Sequence, residues 1–382
     1  MKKLFTLISI ALIGLAGCTQ EEDAGRTDYV QDLIIKFENA GQPVTRAEEV
    51  AKGTDDHATF SSGYIFFLTG MESVKKCYRI APSGTASDPA NNIISIDDFW
   101  NSASSTGYVF QNVSGEVQKV YIIGNLPDAG NTTEAIVRSK TTLTELKKIA
   151  VPIAAQSNID DVTMDGIDES LEAIGGDQTQ KKASITLTPL CSRIEIAKLT
   201  SGGAVTAYKL QGIYVSHFYN EMPLNEISDL TKQEFYALNN GTDYAVHTYM
   251  CDQATDATVG LGSQTDKVTT PATANHVWAY QFLPGSDADR IGPRIVVKLD
   301  GVASTIGSFN PTQSYYLNIR GFKAPSAGDV DPMKLQRGKV YKILNIAFDE
   351  SDISDIPNPA DINLTVTVSI ANWVPEIVEP VM

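Results

Sequence analysis

The chain has 382 residues, 42% of them hydrophobic and 20% charged, a composition typical of a folded protein long enough for two domains. Its formal net charge of −16 repels phosphate backbones and argues against nucleic acid as a partner. After residue 16, no stretch is apolar for long enough to span a bilayer as a helix.

Residues 1–17 have the pattern of a secretory signal peptide. Lys2 and Lys3 form a short basic region, and the apolar run at residues 5–16 is shorter than the about 20 residues of a membrane-spanning helix. Small residues then precede Cys18, which is the arrangement of a lipobox. We predict cleavage before Cys18 and its acylation, so that more than one acyl chain anchors the precursor. The alternative is an ordinary secretory signal followed by an incidental cysteine.

Short β-strands rich in Val, Ile, Tyr and Phe are predicted along the rest of the chain, separated by turn-forming residues. They lie at residues 33–37, 64–68, 117–123, 185–190, 193–197, 213–215, 295–299, 315–319 and 340–348. One helix is predicted behind the capping box that starts at Thr142 and ends at Glu145. The pattern predicts an all-β fold of two tandem β-sandwich domains with few short helices. A polar break at residues 178–182 divides them into residues 47–182 and 183–361.

Two segments have a regular alternation of apolar and polar residues. The first, before the domains, places three apolar residues on one face: Leu33, Ile35 and Phe37. The second, at residues 362–382, begins with five apolar residues at period two and continues into an apolar tail: Ile362, Leu364, Val366, Val368 and Ile370, then Trp373, Ile377 and Val378. A chain terminus is ordinarily hydrophilic, so this tail is expected to bind something.

The remaining chemistry is sparse. Once Cys18 is acylated, Cys77, Cys191 and Cys251 remain, which allows at most one disulfide and favours three buried thiols. Residues 161–172 partly fit a calcium loop, but a solvated acidic turn is the favoured interpretation. The histidines are scattered, and no nucleophile elbow or phosphate-binding loop is present. We therefore expect no enzyme activity, no metal site and no cofactor.

Four segments in chain order carry a resemblance to a known family. They are the lipobox followed by a strand and residues 43–49 (PVTRAEE), residues 120–127 (VYIIGNLP), residues 187–196 (LTPLCSRIEI), and residues 335–341 (LQRGKVY) with the terminal strand and Trp373. Together they resemble the fimbrillin family, the stalk and tip subunits of the type V pili of Bacteroidales. The resemblance implies transthyretin-like Greek-key topology in both sandwich domains.

The resemblance also implies a mechanism. An arginine-specific protease would cut between Arg46 and Ala47, and the propeptide at residues 18–46 would leave with its strand. Part of residues 362–382 of a neighbouring subunit would then fill the vacated groove, which builds an adhesive fimbrium on the outer membrane and cell surface. Cleavage at Arg26 is the rival, and it would release no groove.

Three alternatives stay open at the level of sequence. The donor is either the alternating strand or only the residues after Trp373. The chain is a stalk subunit, or a tip or accessory subunit with an adhesive role. The third reading is a permanently anchored surface lipoprotein that binds a glycan or a host protein as a monomer.

Overall fold

The computed structural model describes residues 30–37, 57–103, 107–157, 162–225, 232–233, 244, 246–253, 261–265, 267–271, 276–284, 293–307, 309–323, 335–357, 362, 364–372 and 374–376. Within these ranges no helix has both the length and the apolar character needed to cross a membrane. The N-terminal half is taken as residues 30–190 and the C-terminal half as residues 191–376.

The N-terminal half is a β-sandwich with short helices at its ends. Its strands are β1 (Val30–Phe37), β2 (His57–Thr59), β3 (Gly63–Thr69), β4 (Val74–Ala81), β5 (Ile93–Ser95), β6 (Tyr108–Ser114), β7 (Val117–Gly124), β8 (Ala150–Pro152), β9 (Met164–Asp168), β10 (Glu172–Ile174), β11 (Asp177–Ile185) and β12 (Thr188–Pro189). Its helices are α1 (Ile96–Ala103), α2 (Glu134–Arg138) and α3 (Leu143–Lys147). One sheet has the order β10-β11-β1-β6 and the other β12-β9-β7-β3-β4-β5. The sheets meet where Phe110 of β6 packs on Phe67 of β3, with ring centroids 5.1 Å apart.

The C-terminal half is a second sandwich. Its strands are β13 (Ser192–Ile196), β14 (Leu199–Ser201), β15 (Val205–Ser216), β16 (Phe218–Tyr219), β17 (Glu221–Pro223), β18 (Lys232–Gln233), β19 (Cys251–Gln253), β20 (Ser263–Thr265), β21 (Val268–Thr270), β22 (Trp278–Phe282), β23 (Arg294–Ser304), β24 (Tyr315–Lys323), β25 (Lys339–Ile343), β26 (Ile346–Phe348), β27 (Ile353–Ser354), β28 (Leu364–Thr367), β29 (Ser369–Asn372) and β30 (Val374–Glu376). The sheets β22-β13-β25-β29 and β20-β21-β14-β26 lie opposite β19-β15-β23-β24-β27, in which β28 also pairs with β24. Tyr208 of β15 packs on Phe348 of β26 across this core, with centroids 5.1 Å apart.

The prediction of an all-β sandwich fold with few short helices is confirmed. The predicted N-cap at Thr142 is present, because the Thr142 hydroxyl accepts a hydrogen bond from the Glu145 backbone N–H at 3.2 Å, while the Glu145 carboxylate accepts from the Thr141 N–H at 2.8 Å. Helix α1 was not predicted. Its buried residues Ile96, Phe99 and Trp100 are spaced as on one helical turn, but a single turn is too short to stand out from the surrounding strand pattern.

The polar break at residues 178–182 lies inside a strand. β11 continues through it and pairs with β1 as far as Ile185, and both Ala183 and Ile185 are fully buried. The polar residues belong to the first part of β11, which is exposed as far as residue 180 and half-buried at residues 181–182, and this explains their composition without a linker. We therefore place the division between the halves after Leu190, where the chain enters β13.

The regular alternation at residues 362–370 does not form one strand. The chain changes sheets at Val368, so that β28 pairs in parallel with β24 while β29 pairs antiparallel with β25. Val368 is fully buried at this corner, and its N–H donates to the Lys323 carbonyl at 2.9 Å. An alternating pattern gives the faces of a strand, but it does not reveal where the partner strand changes.

Candidate strand-exchange site

Strand β1 is an interior strand of its sheet. On one side it runs parallel to β11, from Asp32 opposite Gln180 to Phe37 opposite Ile185. On the other side it runs antiparallel to β6, from Val30 opposite Ser114 to Ile35 opposite Tyr108. The backbone of β1 is therefore paired along both edges, although the strand precedes all other described residues of the chain.

The inward face of β1 fills the core of the N-terminal half. Leu33 is 0% exposed and Ile35 is 1% exposed. Phe37 is enclosed by aromatic rings, with centroid distances of 5.6 Å to Phe60 and 5.4 Å to Trp100. Phe99 completes the enclosure at 6.0 Å. Such tilted and edge-on arrangements contribute beyond the area that they bury.

Two polar residues of β1 also make specific contacts that the apolar pattern does not reveal. Gln31 is 3% exposed, and its Nε2 donates to the carbonyls of Val117 at 3.0 Å and Ser114 at 3.3 Å. Asp32 Oδ1 accepts from the N–H of Asn112 at 3.3 Å, in a β-bulge of β6. The only sequence signal for Gln31 was its place at period two before Leu33, where an amide would not be assigned to a core.

The C-terminal segment pairs with three different strands: β28 with β24, β29 with β25, and β30 with β2. Val366 and Val368 are buried in the C-terminal half, and Leu364 is half-buried. Beyond them β30 returns to the N-terminal half and pairs in parallel with β2, with Ala58 opposite Pro375. The side chain of Ile370, and all of Trp373, Ile377 and Val378, lie outside the residues that the structure describes.

The lipidation and processing residues Cys18, Arg46 and Ala47 lie outside the described residues as well. They belong to the segments that precede β1 and join β1 to β2. Their roles stay predictions of the sequence, and the structure contributes the position of the strand between them.

The end of the segment at residues 120–127 has a structural role beside β2. Asn125 is buried in a left-handed conformation at φ 51°, and its Oδ1 accepts from the backbone N–H groups of Ser61 at 2.9 Å and Ser62 at 3.3 Å. Its Nδ2 donates to the carbonyls of Val162, at 3.1 Å, and Thr59. One amide side chain therefore fixes the end of β2 to the core of the six-stranded sheet.

Residues 187–196 and 335–341 meet at the junction of the halves. Arg337 forms an ion pair with Asp165 of β9 and donates from Nε to the Pro189 carbonyl at 3.1 Å. Asp165 also accepts from the Tyr121 hydroxyl at 2.7 Å. Burial, and then the neighbouring Asp165 carboxylate, raise the pKa of Tyr121 well above its ordinary value. This network joins three of the segments on which the family resemblance rests.

The proposed calcium segment is part of a sheet. Residues 164–168 form β9, paired with β7 and β12, so the solvated acidic turn favoured from the sequence is wrong for this stretch. Asp165 forms an ion pair with Arg337, and Asp168 accepts hydrogen bonds from the backbone N–H groups of Ser170 and Ser184. Across the described residues, no group of three or more His, Cys, Asp or Glu is placed to hold a metal.

Of the three remaining cysteines, Cys77 and Cys191 are free thiols. Cys191 and Cys251 are buried and Cys77 is half-buried. Burial raises the pKa of both Cys77 and Cys191 to about 12, which keeps these two thiols protonated and unreactive at neutral pH.

Solved structures share this architecture over nearly the whole chain. A candidate cell adhesion protein from Bacteroides eggerthii aligns with a TM-score of 0.57 at 12% identity, covering 92% of this chain and 98% of that one. A fimbrilin from Porphyromonas gingivalis aligns with a TM-score of 0.51 at 12% identity, covering 93% and 99%. The chain has the fimbrillin fold. A candidate cell adhesion protein from Parabacteroides distasonis agrees, with a TM-score of 0.52 at 10% identity over 90% and 100%.

Comparison of sequences alone does not detect the similarity to these proteins. No family model matches the chain, and no curated protein matches it. At identities of 10–12% the fimbrillin fold is what the solved structures share with this chain, so any role for its residues must be argued from their own contacts.

Proposed function

We propose that this chain is a structural fimbrial subunit, exported as a lipoprotein on Cys18, cut between Arg46 and Ala47, and assembled by strand exchange in support of adhesion. One observation carries the proposal: β1 is paired on both edges within its sheet. The chain between β1 and β2, residues 38–56, contains Arg46. A single cut there leaves an interior strand held by noncovalent contacts alone.

Loss of β1 would open a groove with a defined chemistry. The facing edges of β6 and β11 would have unpaired N–H and C=O groups, and the core beneath them would be uncovered. An extended segment of another subunit can restore both by adding a strand, with hydrogen bonds for affinity and alternate side chains for register. The solved structures with the same fold, a fimbrilin and candidate cell adhesion proteins, support this surface role over an enzymatic one.

The partners in this proposal are neighbouring fimbrial subunits, an arginine-specific protease, and the outer membrane through the lipid of the precursor. No nucleic acid and no cofactor take part. The two domains correspond to the two sandwiches, and residues 362–382 are the candidate donor.

A tip or accessory subunit is the second candidate, and the C-terminal strands favour it. A donor drawn from residues 362–372 would have to leave two sheets of the C-terminal half, where Val366 and Val368 are buried. A subunit that keeps these strands would accept a neighbour's strand without releasing its own.

The test begins with the non-lipidated precursor, residues 19–382, labelled between Arg26 and β1 and digested with an arginine-specific protease. Intact mass locates the cut. Excess unlabelled peptide of residues 29–39 is then added, and release of the labelled fragment is followed by size-exclusion chromatography. We expect a cut after Arg46 and exchange of the fragment for the peptide. Arg46→Lys is the matched control, since it keeps the charge and resists the protease, while Arg26→Lys should leave the result unchanged.

Gel analysis in denaturant then separates the two candidates. A resistant ladder formed by the cut chain alone, and lost on deletion of residues 373–382, indicates a stalk subunit. Exchange without a ladder indicates a tip or accessory subunit. Resistance of Arg46 to cleavage, or a cut chain whose fragment never exchanges, contradicts strand exchange and leaves an anchored monomeric lipoprotein that binds a glycan or a host protein.

A further inference from the structure

We propose that the strand accepted by this chain comes from a subunit of different sequence, with an amide at its first inward position and an aromatic ring at its fourth. This inference rests on the proposed function and names the partner of the same groove. The four inward positions are those now occupied by Gln31, Leu33, Ile35 and Phe37, in that order. The incoming strand keeps the polarity of β1, parallel to β11 and antiparallel to β6.

The first inward position requires a hydrogen-bond donor. Gln31 Nε2 reaches two main-chain carbonyls, of Ser114 and Val117, where the chain turns from β6 into β7. An aliphatic side chain in its place would cover both carbonyls without donating to them. A buried acceptor that loses its donor weakens binding by about tenfold or more.

The fourth inward position requires a flat ring. Phe37 lies among Phe60, Phe99 and Trp100, all within 6.0 Å between centroids, and it is 8% exposed. Those three residues belong to α1 and to the segment between β2 and β3, so they stay in the cut chain. A valine or isoleucine at this position would leave part of the enclosure empty, at a further cost of about tenfold or more.

The outward position between the first two inward ones, now occupied by Asp32, adds a weaker requirement. Asn112 has φ 55° in the bulge of β6, and its N–H points to the Asp32 carboxylate. A side-chain oxygen at this position satisfies the N–H, so Asp, Asn, Ser or Thr is suitable.

The C-terminal strand of this chain lacks both inward features. In one register Ile362 takes the Gln31 position and Val368 takes the Phe37 position; in the next, Leu364 and Ile370 do. Either register buries an aliphatic side chain against the two carbonyls and underfills the aromatic enclosure. Asn363 or Thr365 would supply the side-chain oxygen that accepts from the Asn112 N–H. Only the inward-facing residues of the C-terminal segment therefore fit the groove poorly.

The apolar tail does not correct the deficit. Residues 362–382 contain a single aromatic residue, Trp373. Placing it at the fourth inward position puts Ser369 and Ala371 where Leu33 and Ile35 now fill the core, which exchanges one cavity for two. Together the deficits predict that this chain binds its own C-terminal segment about 100-fold more weakly than a strand with the sequence of β1.

The experiment is a competition on the cut precursor described above. Five peptides are compared for their ability to displace the labelled fragment: residues 29–39; residues 360–370; residues 360–370 with Ile362→Gln and Val368→Phe; residues 29–39 in reversed order; and residues 29–39 with Gln31→Ile and Phe37→Val. The first and third should displace it at least ~10-fold more effectively than the second, and the reversed peptide should not displace it. Residues 29–39 with Gln31→Ile and Phe37→Val should lose the advantage.

The outcomes separate this inference from the proposed function. If the unsubstituted C-terminal peptide competes as well as its double-substituted form, the requirement for an amide and a ring is wrong, while strand exchange still holds. If the reversed peptide competes equally, the polarity is wrong and the inference falls with it. If no peptide displaces the fragment, the groove does not open and both proposals fail.

Discussion

Leu33→Ala tests how strongly β1 is held. Leu33 is 0% exposed at the centre of an interior strand, and Leu→Ala at such sites costs about 2–5 kcal/mol. We take about 3 kcal/mol, because β1 is paired with a strand on each edge and these strands limit how far the cavity can collapse. Since about 1.4 kcal/mol corresponds to a factor of ten, the substitution weakens retention of the cut strand by about 100-fold.

The assay is the release rate of the labelled N-terminal fragment from the cut precursor, with unlabelled peptide of residues 29–39 in excess. Affinity differences within one interface are expressed mainly in the dissociation rate, so release should be about 100-fold faster for Leu33→Ala. Lys36→Ala is the matched control, because Lys36 lies on the exposed face of the same strand. Its release rate should stay within about twofold of the unsubstituted chain.

Equal rates for Leu33→Ala and Lys36→Ala would refute the reasoning. That result would mean that the inward face of β1 does not determine its retention. The reverse order of rates would mean that the faces are assigned wrongly.

Three further predictions concern the junction, a buried thiol and the C-terminal return. Asp165→Asn should lower the free energy of unfolding by about 2–3 kcal/mol in urea titrations, since the largely buried Arg337 guanidinium then loses the charge of the Asp165 carboxylate. Stability should fall by about 1 kcal/mol for Cys191 alone as pH rises from 9 to 10, because burial raises the pKa of this thiol from 9.0 to about 12; Cys191→Ala should show a shallower fall. Deleting residues 373–382 should speed hydrogen exchange at residues 57–59, which lose β30.

Each of these has a control. Glu116→Gln, in an exposed ion pair with Lys75, should cost less than about 0.5 kcal/mol, and a loss equal to that of Asp165→Asn would contradict the junction argument. If stability falls with pH as steeply in Cys191→Ala as in the unsubstituted chain, a group other than the Cys191 thiol is responsible. Deletion of residues 377–382 alone should leave exchange at residues 57–59 unchanged, and unchanged exchange in the longer deletion would exclude the β2–β30 pairing.

The sequence predicted elements well where the signal was local and repeated. The alternation of Leu33, Ile35 and Phe37 identified both the strand and its buried face, and the N-cap at Thr142 located the start of α3. The division predicted at residues 178–182 rested on polar composition, which has two explanations. In the structure these residues are part of the exposed and half-buried first stretch of β11.

The candidate site was likewise predicted only in part from the sequence. The pattern located β1, but it assigned Gln31 no role, because an amide is stable in a core only when hydrogen-bond acceptors lie beside it. Those acceptors, Ser114 and Val117, lie more than 80 residues away along the chain. The pattern also did not predict the change of sheet at Val368, since the strands that pair on either side of it, β24 and β25, come from other parts of the chain.

By itself, the sequence determined the all-β class, the short strands and which side of β1 is apolar, because a period-two pattern acts within a few neighbouring residues. Only the tertiary structure decided that β1 is an interior strand between β6 and β11, that Phe37 lies among three rings, and that β30 returns to β2. Strand pairing joins segments far apart along the chain, as Leu33 joins Lys181, and the alternation within either segment contains no information about its partner.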